Sequence, residues 1–402
     1  MLGNLVVLEY ASLVSGPYCA RLLADLGAEV IKIEDPRCGD ESRRRGPFPQ
    51  DNPDLEKSGL FLCLNNNKLG ITLDIKTEAG AKLFRELLEQ ADVLVENQPV
   101  GWMEGLGFGY QNVREINPRL VMTSVTPFGQ TGLYSRYKAS ELTLFQMSGV
   151  GYGTPGRVQD PELEMPLKPR ATQLEFLAGM VGAVATMLAI VARHATGKGQ
   201  HVDVSALEAG ALVNWGNAAQ YFYTGQNASR LKEAQSPTAP LHILPCKDGY
   251  VNLECVEEDQ WWRLVELMGN PEWASNELFK DGPCRAKYWD GLEPLLCEFT
   301  TQWGKESLSI ACQEKRIACT PVSTAADLFS FEHLRERGFF VKVDHPVMGK
   351  VECPGAPFQT ETAPRQIRRP APRLGGDNEA VFCQRLGRTK ADLIEMRESH
   401  VI

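Results

Sequence analysis

Short apolar segments alternate with helical segments through the first part of this chain, and this alternation constrains the possible folds most. Residues 5–9 form an apolar, strand-like run, and a Ser/Gly/Pro turn follows it. Residues 20–26 then have helical spacing, Gly27 ends that helix, and residues 30–33 form a second apolar strand. Strand–helix–strand units require a parallel sheet that helices cover on both faces. The sequence therefore predicts an α/β fold.

The alternation continues with strand-like residues 71–73, 93–96 and 120–125 and with the helical segment 80–90. The strand at 93–96 ends in Glu96 and Asn97. Ligands bind at the carboxyl ends of strands in open α/β sheets, so this polar pair is a candidate binding site. A loop with an ordinary capped backbone is the alternative, and these residues favour neither interpretation.

The pattern changes near residue 225. Residues 225–240 resemble a linker, and residues 241–253 resemble a hairpin around Lys247-Asp-Gly249. Five of the seven tryptophans lie between residues 261 and 303, where we expect core packing because the local charge is not basic. From about Pro321 we expect an extended, Pro-rich chain that ends in a helix at 390–398. A length of 402 residues predicts two or three units at roughly 100–200 residues per domain.

The charge distribution argues against a nucleic-acid surface. Lys and Arg number 42 against 51 Asp and Glu, the formal charge is -9, and there is no dense basic block. The two short basic stretches are residues 43–45 and 365–373. We expect both to be solvated loop charges, with anion binding as the alternative.

Cysteine spacing and the N-terminus indicate the compartment. The 11 cysteines include no Cys-x-x-Cys pair, and no His/Cys cluster has metal-site spacing, so we expect reduced thiols and no metal. The N-terminal residues lack the basic region of a signal peptide, which predicts a cytoplasmic protein. The uncharged run at 176–192 is slightly short for a bilayer and contains Gly179 and Gly182, so we interpret it as a buried core helix.

Glu175 lies where a polar Pro/Lys/Arg loop enters this apolar helix. A carboxylate in the first turn is stabilised by the helix dipole, and such residues are common for that reason alone. Its position therefore favours a structural role over catalysis. His194 and His201 flank a Gly-containing turn, and we expect both at the surface.

The order of motifs nevertheless resembles one enzyme family over nearly the whole chain: the family III CoA-transferases, which include formyl-CoA transferase, the carnitine and bile-acid CoA-transferases and the α-methylacyl-CoA racemases. The matching segments are residues 16–34 with Gly39-Asp40, Asn65-Asn-Asn-Lys68, Leu73-Asp74, Ala91-Asp-Val-Leu-Val-Glu-Asn97, Asn117-Pro-Arg119, Phe128-Gly-Gln-Thr-Gly132, Thr196-Gly-Lys-Gly-Gln200, Val202-Asp-Val204, Pro354-Gly-Ala-Pro-Phe358 and Pro372-Arg-Leu-Gly375.

The resemblance implies a Rossmann-like large domain with a parallel sheet, into which a smaller α+β domain is inserted. The corresponding boundaries here are 1–225 for the N-terminal part of the large domain, 226–325 for the small domain and 326–402 for the C-terminal return. Two such chains interlock as linked rings, so the resemblance implies an interlocked partner chain.

The resemblance also implies the chemistry. Family members bind no permanent cofactor and take acyl-CoA and a carboxylic acid as substrates. An aspartate attacks the thioester, and Glu175 occupies the matching position in this chain. The positions that correspond to CoA-contacting residues are Val14, Ser15, Leu73, Lys76, Asn97, Gln98 and Lys138.

Three departures from the family pattern bear on activity. Glu175 has one methylene more than aspartate, and a displacement of about 1 Å can reduce a rate on the order of 10²-fold. Asp35 and Gly105 stand where relatives carry cations that could pair with CoA phosphates. In addition, Ser140 precedes Glu141 where the racemases need His, which disfavours racemisation.

The residues leave three hypotheses. In the first and favoured one, this chain is a non-catalytic or weakened subunit that pairs with an Asp-bearing paralogue. That assembly would move CoA from an acyl-CoA such as succinyl-CoA to a carboxylic acid, as in the heteromeric enzyme that activates benzylsuccinate in anaerobic toluene breakdown. In the second, the chain is a homodimeric CoA-transferase with Glu175 as nucleophile. In the third, Glu175 acts as an acid or base on acyl-CoA.

Overall fold

In the computed structural model, the alternating segments form one parallel sheet of six strands in the order β3-β2-β1-β4-β5-β6. This order is Rossmann-like and confirms the predicted α/β class with a parallel sheet. The chain order reverses between the neighbouring strands β1 and β4, which makes their carboxyl ends the switch point of the sheet. The strands are β1 Val6–Tyr10, β2 Glu29–Glu34, β3 Lys68–Thr72, β4 Val93–Glu96, β5 Val121–Thr126 and β6 His201–Ser205.

The structure describes residues 1–155, 158, 160, 162–227, 230, 238–361 and 366–402. Most of the predicted linker at 225–240 and Arg365 of the second basic stretch lie outside these residues. The chain forms two compact units. The large unit comprises Met1–Tyr152, Lys168–Phe222 and Glu332–Ile402, and the small unit comprises Gly153–Leu167 and Tyr223–Phe331. The domain boundaries at 225/226 and 325/326 stay a prediction.

The sheet of the large unit is buried on both faces. Successive side chains of a strand point to opposite faces, so β1 places Leu8 in one apolar cluster and Val7 in another. This double burial explains why the strands are almost continuously apolar. The helices up to residue 224 are α1 Ser15–Asp25, α2 Gly59–Asn65, α3 Glu78–Gln90, α4 Trp102–Gly105, α5 Tyr110–Ile116, α6 Glu141–Met147, α7 Gln173–Thr196, α8 Ala206–Val213 and α9 Trp215–Thr224.

The small unit has an antiparallel sheet of three strands in the order β7-β8-β9 and its own apolar core. The predicted hairpin corresponds to β7 and β8. Trp261 and Trp289 are fully buried in this core, while Trp262 is exposed. The elements are β7 Leu241–Cys246, β8 Gly249–Glu254, α10 Glu258–Leu267, α11 Gly282–Lys287, α12 Trp289–Thr300, α13 Lys305–Glu314, β9 Ala318–Pro321 and α14 Ala325–Ser330.

The C-terminal return is more regular than predicted. Instead of an extended chain, residues 332–354 contain a short helix and an antiparallel hairpin, because their alternating apolar residues pair across β10 and β11. The terminal helix lies at the predicted position. The elements are α15 Glu332–Glu336, β10 Phe340–His345, β11 Gly349–Pro354 and α16 Lys390–Glu398, with a π-helical turn at Glu379–Arg385.

Two predictions about single residues were wrong. Arg43 is not a solvated loop charge: it is fully buried, donates to both oxygens of Glu34 at 2.7 and 2.8 Å, and lies over the ring of Phe61. His201 is half-buried, because it forms the start of β6, where it bonds Ser124 Oγ at 2.9 Å and stacks on Tyr110. The motif around β6 was too short to predict a strand from its apolar pattern.

Helix α7 is buried along one face only. Ala178, Gly179 and Gly182 are buried, and the helix packs on α1, β5 and α8. The opposite face exposes a row of large apolar side chains. By length and composition α7 could also cross a membrane, and 44% of its apolar window is buried within the described chain. The exposed side chains are Met180, Val184, Leu188 and Val191.

Candidate functional site

Asn97 joins the two strands of the switch point. It follows β4, and its side chain reaches the loop that follows β1. Asn97 Nδ2 donates to the carbonyl oxygen of Ser12 at 2.7 Å and lies 3.3 Å from Ser15 Oγ, while Asn97 Oδ1 accepts from the N–H of Ser12 at 2.9 Å. The structure therefore brings together Asn97 and Ser15, two of the residues that the sequence analysis selected.

The loop between β1 and α1 has an unusual backbone. Leu13 has φ +64°, in the left-handed region that non-glycine residues rarely adopt. Val14 follows as the N-cap residue of α1, and its apolar side chain is buried and makes no capping hydrogen bond. Gly16 is required by space, because a Cβ at this position would lie 2.4 Å from the Cβ of Ala11.

Helix α7 brings Glu175 to the same region. The helix crosses α1 so closely that a Cβ on Gly179 would lie 2.5 Å from the carbonyl oxygen of Ser15. One turn earlier, the rings of Phe176 and Tyr18 meet edge to face with centroids 4.8 Å apart. Glu175 therefore lies in the first turn of α7, one turn before the contact between Gly179 and Ser15.

Glu141 caps the start of α7. Its carboxylate accepts hydrogen bonds from the N–H groups of Leu174 at 3.0 Å and Glu175 at 3.2 Å. These groups have no partner within the helix, and an anion at a helix N-terminus is also favoured by the dipole. Glu141 is itself the first residue of α6 and is buried. In the sequence, Glu141 was notable only as the residue after Ser140.

The surroundings of Glu175 make its carboxyl group hard to ionise. Burial raises the pKa of Glu175 to about 7, and the neighbouring negative charge of Glu141 adds to that increase. The positive charge of Arg45 acts in the opposite direction. Perturbed carboxyl groups are typical of functional sites, although structural networks produce them as well. Near neutral pH both forms of Glu175 are therefore populated.

A cluster of charged side chains lies at the carboxyl ends of β2 and β3. Lys76 Nζ is 3.6 Å from an oxygen of Asp35 and 4.0 Å from Asp74. Arg37 lies 3.0 Å from Asp35 and 3.5 Å from Asp74, and its hydrogen bonds lower the pKa of Asp35 to about 2. This region therefore contains cations although Asp35 itself is acidic, because Arg37 follows Asp35 by two residues in the chain.

The remaining predicted positions have different environments. Leu73 is fully buried in the main core, so its side chain packs within the protein. Gln98 is half-buried, and its Nε2 donates to the carbonyl oxygen of Tyr10 at 3.3 Å. Lys138 is exposed in the segment before α6. Gly105 ends α4, and no atom lies within 4 Å of a Cβ built there.

The described residues show no structural sign of a metal centre. Among them, no group of three or more His, Cys, Asp or Glu side chains is arranged to hold a metal ion. All 11 cysteines are in the described part of the chain and are free thiols.

Comparison with known proteins identifies relatives of this chain. Residues 2–378 match the family model described as CoA-transferase family III. The chain is 35% identical to the succinyl-CoA:(R)-benzylsuccinate CoA-transferase subunit BbsE of Thauera aromatica, over 92% of this chain and 90% of that one. It is 28% identical to the succinate–glutarate CoA-transferase of Agrobacterium fabrum, over 95% of each.

A solved structure extends this similarity to the fold. The crystal structure of a CaiB/BaiF family protein from Brucella suis superposes with a TM-score of 0.84 at 30% identity, and the match covers 95% of this chain and 98% of that one.

Proposed function

Because this chain belongs to CoA-transferase family III and is therefore a CoA-transferase, we propose that it is a subunit of an assembly that transfers CoA from succinyl-CoA to a dicarboxylic acid. The names of its relatives support this choice, since they act on succinate, glutarate or benzylsuccinate. The benzylsuccinate relative also supports a place in anaerobic aromatic catabolism. We also propose that this protein is cytoplasmic.

The site residues extend this proposal. Asn97 and Ser15 lie together at the switch point, where α/β proteins bind their ligands. We assign CoA to this edge of the sheet, in contact with Val14, Ser15, Asn97 and Gln98. Lys76 and Lys138 supply positive charge for the phosphates of CoA, and Leu73 completes the assigned set through its backbone, because its side chain is buried in the core.

In this assembly the chain acts as a non-catalytic or weakened subunit beside an Asp-bearing paralogue. The observation that supports this role is the fixed position of α7. Glu141 holds its first N–H groups, and Gly179 packs against Ser15, so the helix cannot move back to accommodate a longer side chain. The extra methylene of Glu175 therefore displaces the carboxylate relative to an aspartate at this position. A displacement of about 1 Å can reduce the rate on the order of 10²-fold.

The family reaction has two symmetrical halves. A carboxylate oxygen attacks the thioester carbonyl, the C–S bond breaks, and CoA leaves as the thiolate, which gives a mixed anhydride. The thiolate then attacks the enzyme carbonyl of that anhydride, which forms an enzyme–CoA thioester and releases succinate. The acceptor carboxylate attacks this thioester, and the same two steps in reverse release the acceptor as its CoA thioester.

A second candidate role is that Glu175 itself performs these steps in a self-sufficient homodimer. The raised pKa of Glu175 favours this role, because burial and the neighbouring Glu141 leave a basic carboxylate once the proton is lost. In either case we propose an interlocked partner chain. The exposed apolar row of α7, which includes Val184 and Leu188, supports a second chain at that face.

One experiment separates these roles. The chain is purified alone and with its paralogue, supplied with succinyl-CoA and a dicarboxylic acid, and trapped with hydroxylamine or borohydride. The subunit role predicts no appreciable turnover until the paralogue is added, and restored activity that survives Glu175→Gln. Turnover by the lone chain with modification confined to Glu175 would instead establish the homodimer. The surface variant Glu162→Gln is the matched control, because Glu162 is exposed.

A further inference from the structure

We propose that a buried network of two lysines and two carboxylates, Glu9, Lys32, Asp40 and Lys68, holds the loop between β1 and α1 in its binding conformation. This inference rests on the proposed function, because it assigns CoA to that loop. It predicts that the network sets the affinity of the site for CoA rather than the rate of the chemical steps.

The four charged groups form a continuous chain of ion pairs. Lys32 Nζ lies 2.7 Å from Glu9 and 2.6 Å from Asp40, and Lys68 Nζ lies 2.7 Å from the other oxygen of Glu9. Glu9 and Lys32 are also direct neighbours in the register of β1 and β2. All four side chains are buried, and their charges sum to zero.

The network forms hydrogen bonds with the loop and its flanking residues at several points. Lys32 Nζ donates to the carbonyl oxygen of Ala11, the first residue of the loop, at 3.0 Å, and Lys68 Nζ donates to that of Pro17 in α1 at 2.8 Å. In between, Asp40 Oδ1 accepts from the N–H of Leu13 at 3.0 Å and from Ser12 Oγ at 3.2 Å. The network therefore contacts the loop on both sides of Leu13.

The loop needs such support because Leu13 is in a left-handed conformation. A leucine with φ +64° is strained, and it keeps that conformation only if the surroundings impose it. Val14 and Ser15 come directly after Leu13, and Asn97 holds Ser12 from the β4 side. If Leu13 relaxed, Val14 and Ser15 would move away from Asn97.

The charges themselves argue for a role in positioning. Burial would raise the pKa of Asp40, but Lys32 outweighs that effect and lowers the pKa to about 2, so Asp40 stays ionised. Buried ion pairs often contribute little net stability, since desolvation opposes their attraction. Four buried charges that end on one strained loop are therefore better explained by the conformation they impose than by stability.

The test is the affinity of the purified chain for CoA, measured by calorimetry, and the KM for succinyl-CoA of the active assembly. We expect Asp40→Asn to raise the Kd for CoA and the KM for succinyl-CoA about tenfold or more, with kcat changed less than about threefold. The control is Glu258→Gln, which breaks the ion pair between the exposed Glu258 and the buried Arg285 in the small unit and should leave both constants unchanged.

A rescue variant separates positioning from general destabilisation. Glycine adopts φ +64° without strain, so Leu13→Gly in the Asp40→Asn background should recover most of the lost affinity. Leu13→Val keeps the network intact but disfavours the left-handed conformation, so it should weaken CoA binding by itself. If Asp40→Asn lowers the unfolding temperature but leaves CoA affinity within twofold, or if Leu13→Gly rescues nothing, the proposal is wrong.

The wild-type chain provides the remaining distinction. If it binds CoA but the assembly transfers none to dicarboxylic acids, the proposed function fails while the affinity test still decides the role of the network. If the wild-type chain binds no CoA, the loop is not a CoA site and this inference is overturned.

Discussion

The carboxylate of Glu141 accepts hydrogen bonds from the backbone at the start of α7, and one of the two donors is the N–H of Glu175. This contact places two carboxyl groups side by side, one as the cap of the helix and the other in its first turn. Burial and the negative charge of Glu141 raise the pKa of Glu175 to about 7. The properties of Glu175 thus depend on a residue 34 positions earlier in the chain.

Shortening Glu175 should increase the activity of the lone chain. Glu175→Asp removes one methylene, and because the start of α7 is fixed, the carboxylate returns to the position of the family aspartate. We therefore expect turnover of succinyl-CoA to rise about tenfold or more. Steady-state kinetics of the purified chain measure this change, with Glu175→Gln as the inactive reference. A decrease on shortening would show that the longer side chain is the functional one.

Glu175 should make stability depend on pH. Its folded-state pKa of about 7 lies above the ordinary glutamate pKa of 4.5, so the folded state holds this proton more tightly. The resulting stability is fully present below pH 4.5 and is lost as the pH rises through 7. At pH 8 the free energy of unfolding of Glu175→Gln should therefore exceed that of the wild type by up to about 3 kcal/mol, with a higher unfolding temperature, and there should be little difference at pH 4.5. Thermal unfolding at both pH values measures it, and equal differences at both would contradict it.

Removing the charge of Glu141 should shift that transition. Glu141→Gln keeps a hydrogen-bond acceptor for Leu174 but removes the negative charge that contributes to the raised pKa of Glu175. We expect the pH midpoint assigned to Glu175 to fall, and the free energy of unfolding to decrease by about 1 kcal/mol as the charged cap is lost. The pH series of unfolding is repeated in this background, and an unchanged midpoint would exclude the interaction.

Neutralising Asp35 should strengthen CoA binding. Asp35 pairs with Arg37 and Lys76, and Asp35→Asn would free both cations for the phosphates of CoA. We expect the Kd for CoA to fall a few-fold at low salt, and the gain to shrink as the ionic strength rises. Calorimetry at two salt concentrations measures this, and Arg37→Gln should act in the opposite direction. A gain that salt does not change would point to another cause.

The exposed apolar row of α7 should be needed for association. Leu188 is 65% exposed on that row, and Leu188→Asp places a charge where we propose a partner chain. The variant should remain folded but elute as a smaller species in size-exclusion chromatography. Ile310→Asp on α13 of the small unit is a matched control, because Ile310 is 61% exposed. Loss of association in the control alone would move the interface to the small unit.

Sequence reasoning identified the strands best where an apolar run lay between Gly, Pro or polar residues. The predicted strand at 93–96 matches β4 Val93–Glu96, and the terminal helix matches α16 Lys390–Glu398. It failed for β6, whose motif was too short, and for residues after 321, where pairing between β10 and β11 makes strands of a weak local pattern. Its expectation for Arg43 failed because the partners that bury it, Glu34 and Phe61, are distant in sequence.

The order of apolar segments was enough to establish a parallel α/β sheet, because burial of both faces requires that pattern in each strand. The family motifs likewise selected Glu175 and Asn97 as site residues from the sequence alone, and those roles stay predictions. The strained loop at Leu13 and the pairing of Asp40 with Lys32 could not be read in this way. Those features depend on charges and backbone groups that lie 8 to 85 residues apart in the chain and that strand order and helix packing bring together. A linear pattern does not record that proximity.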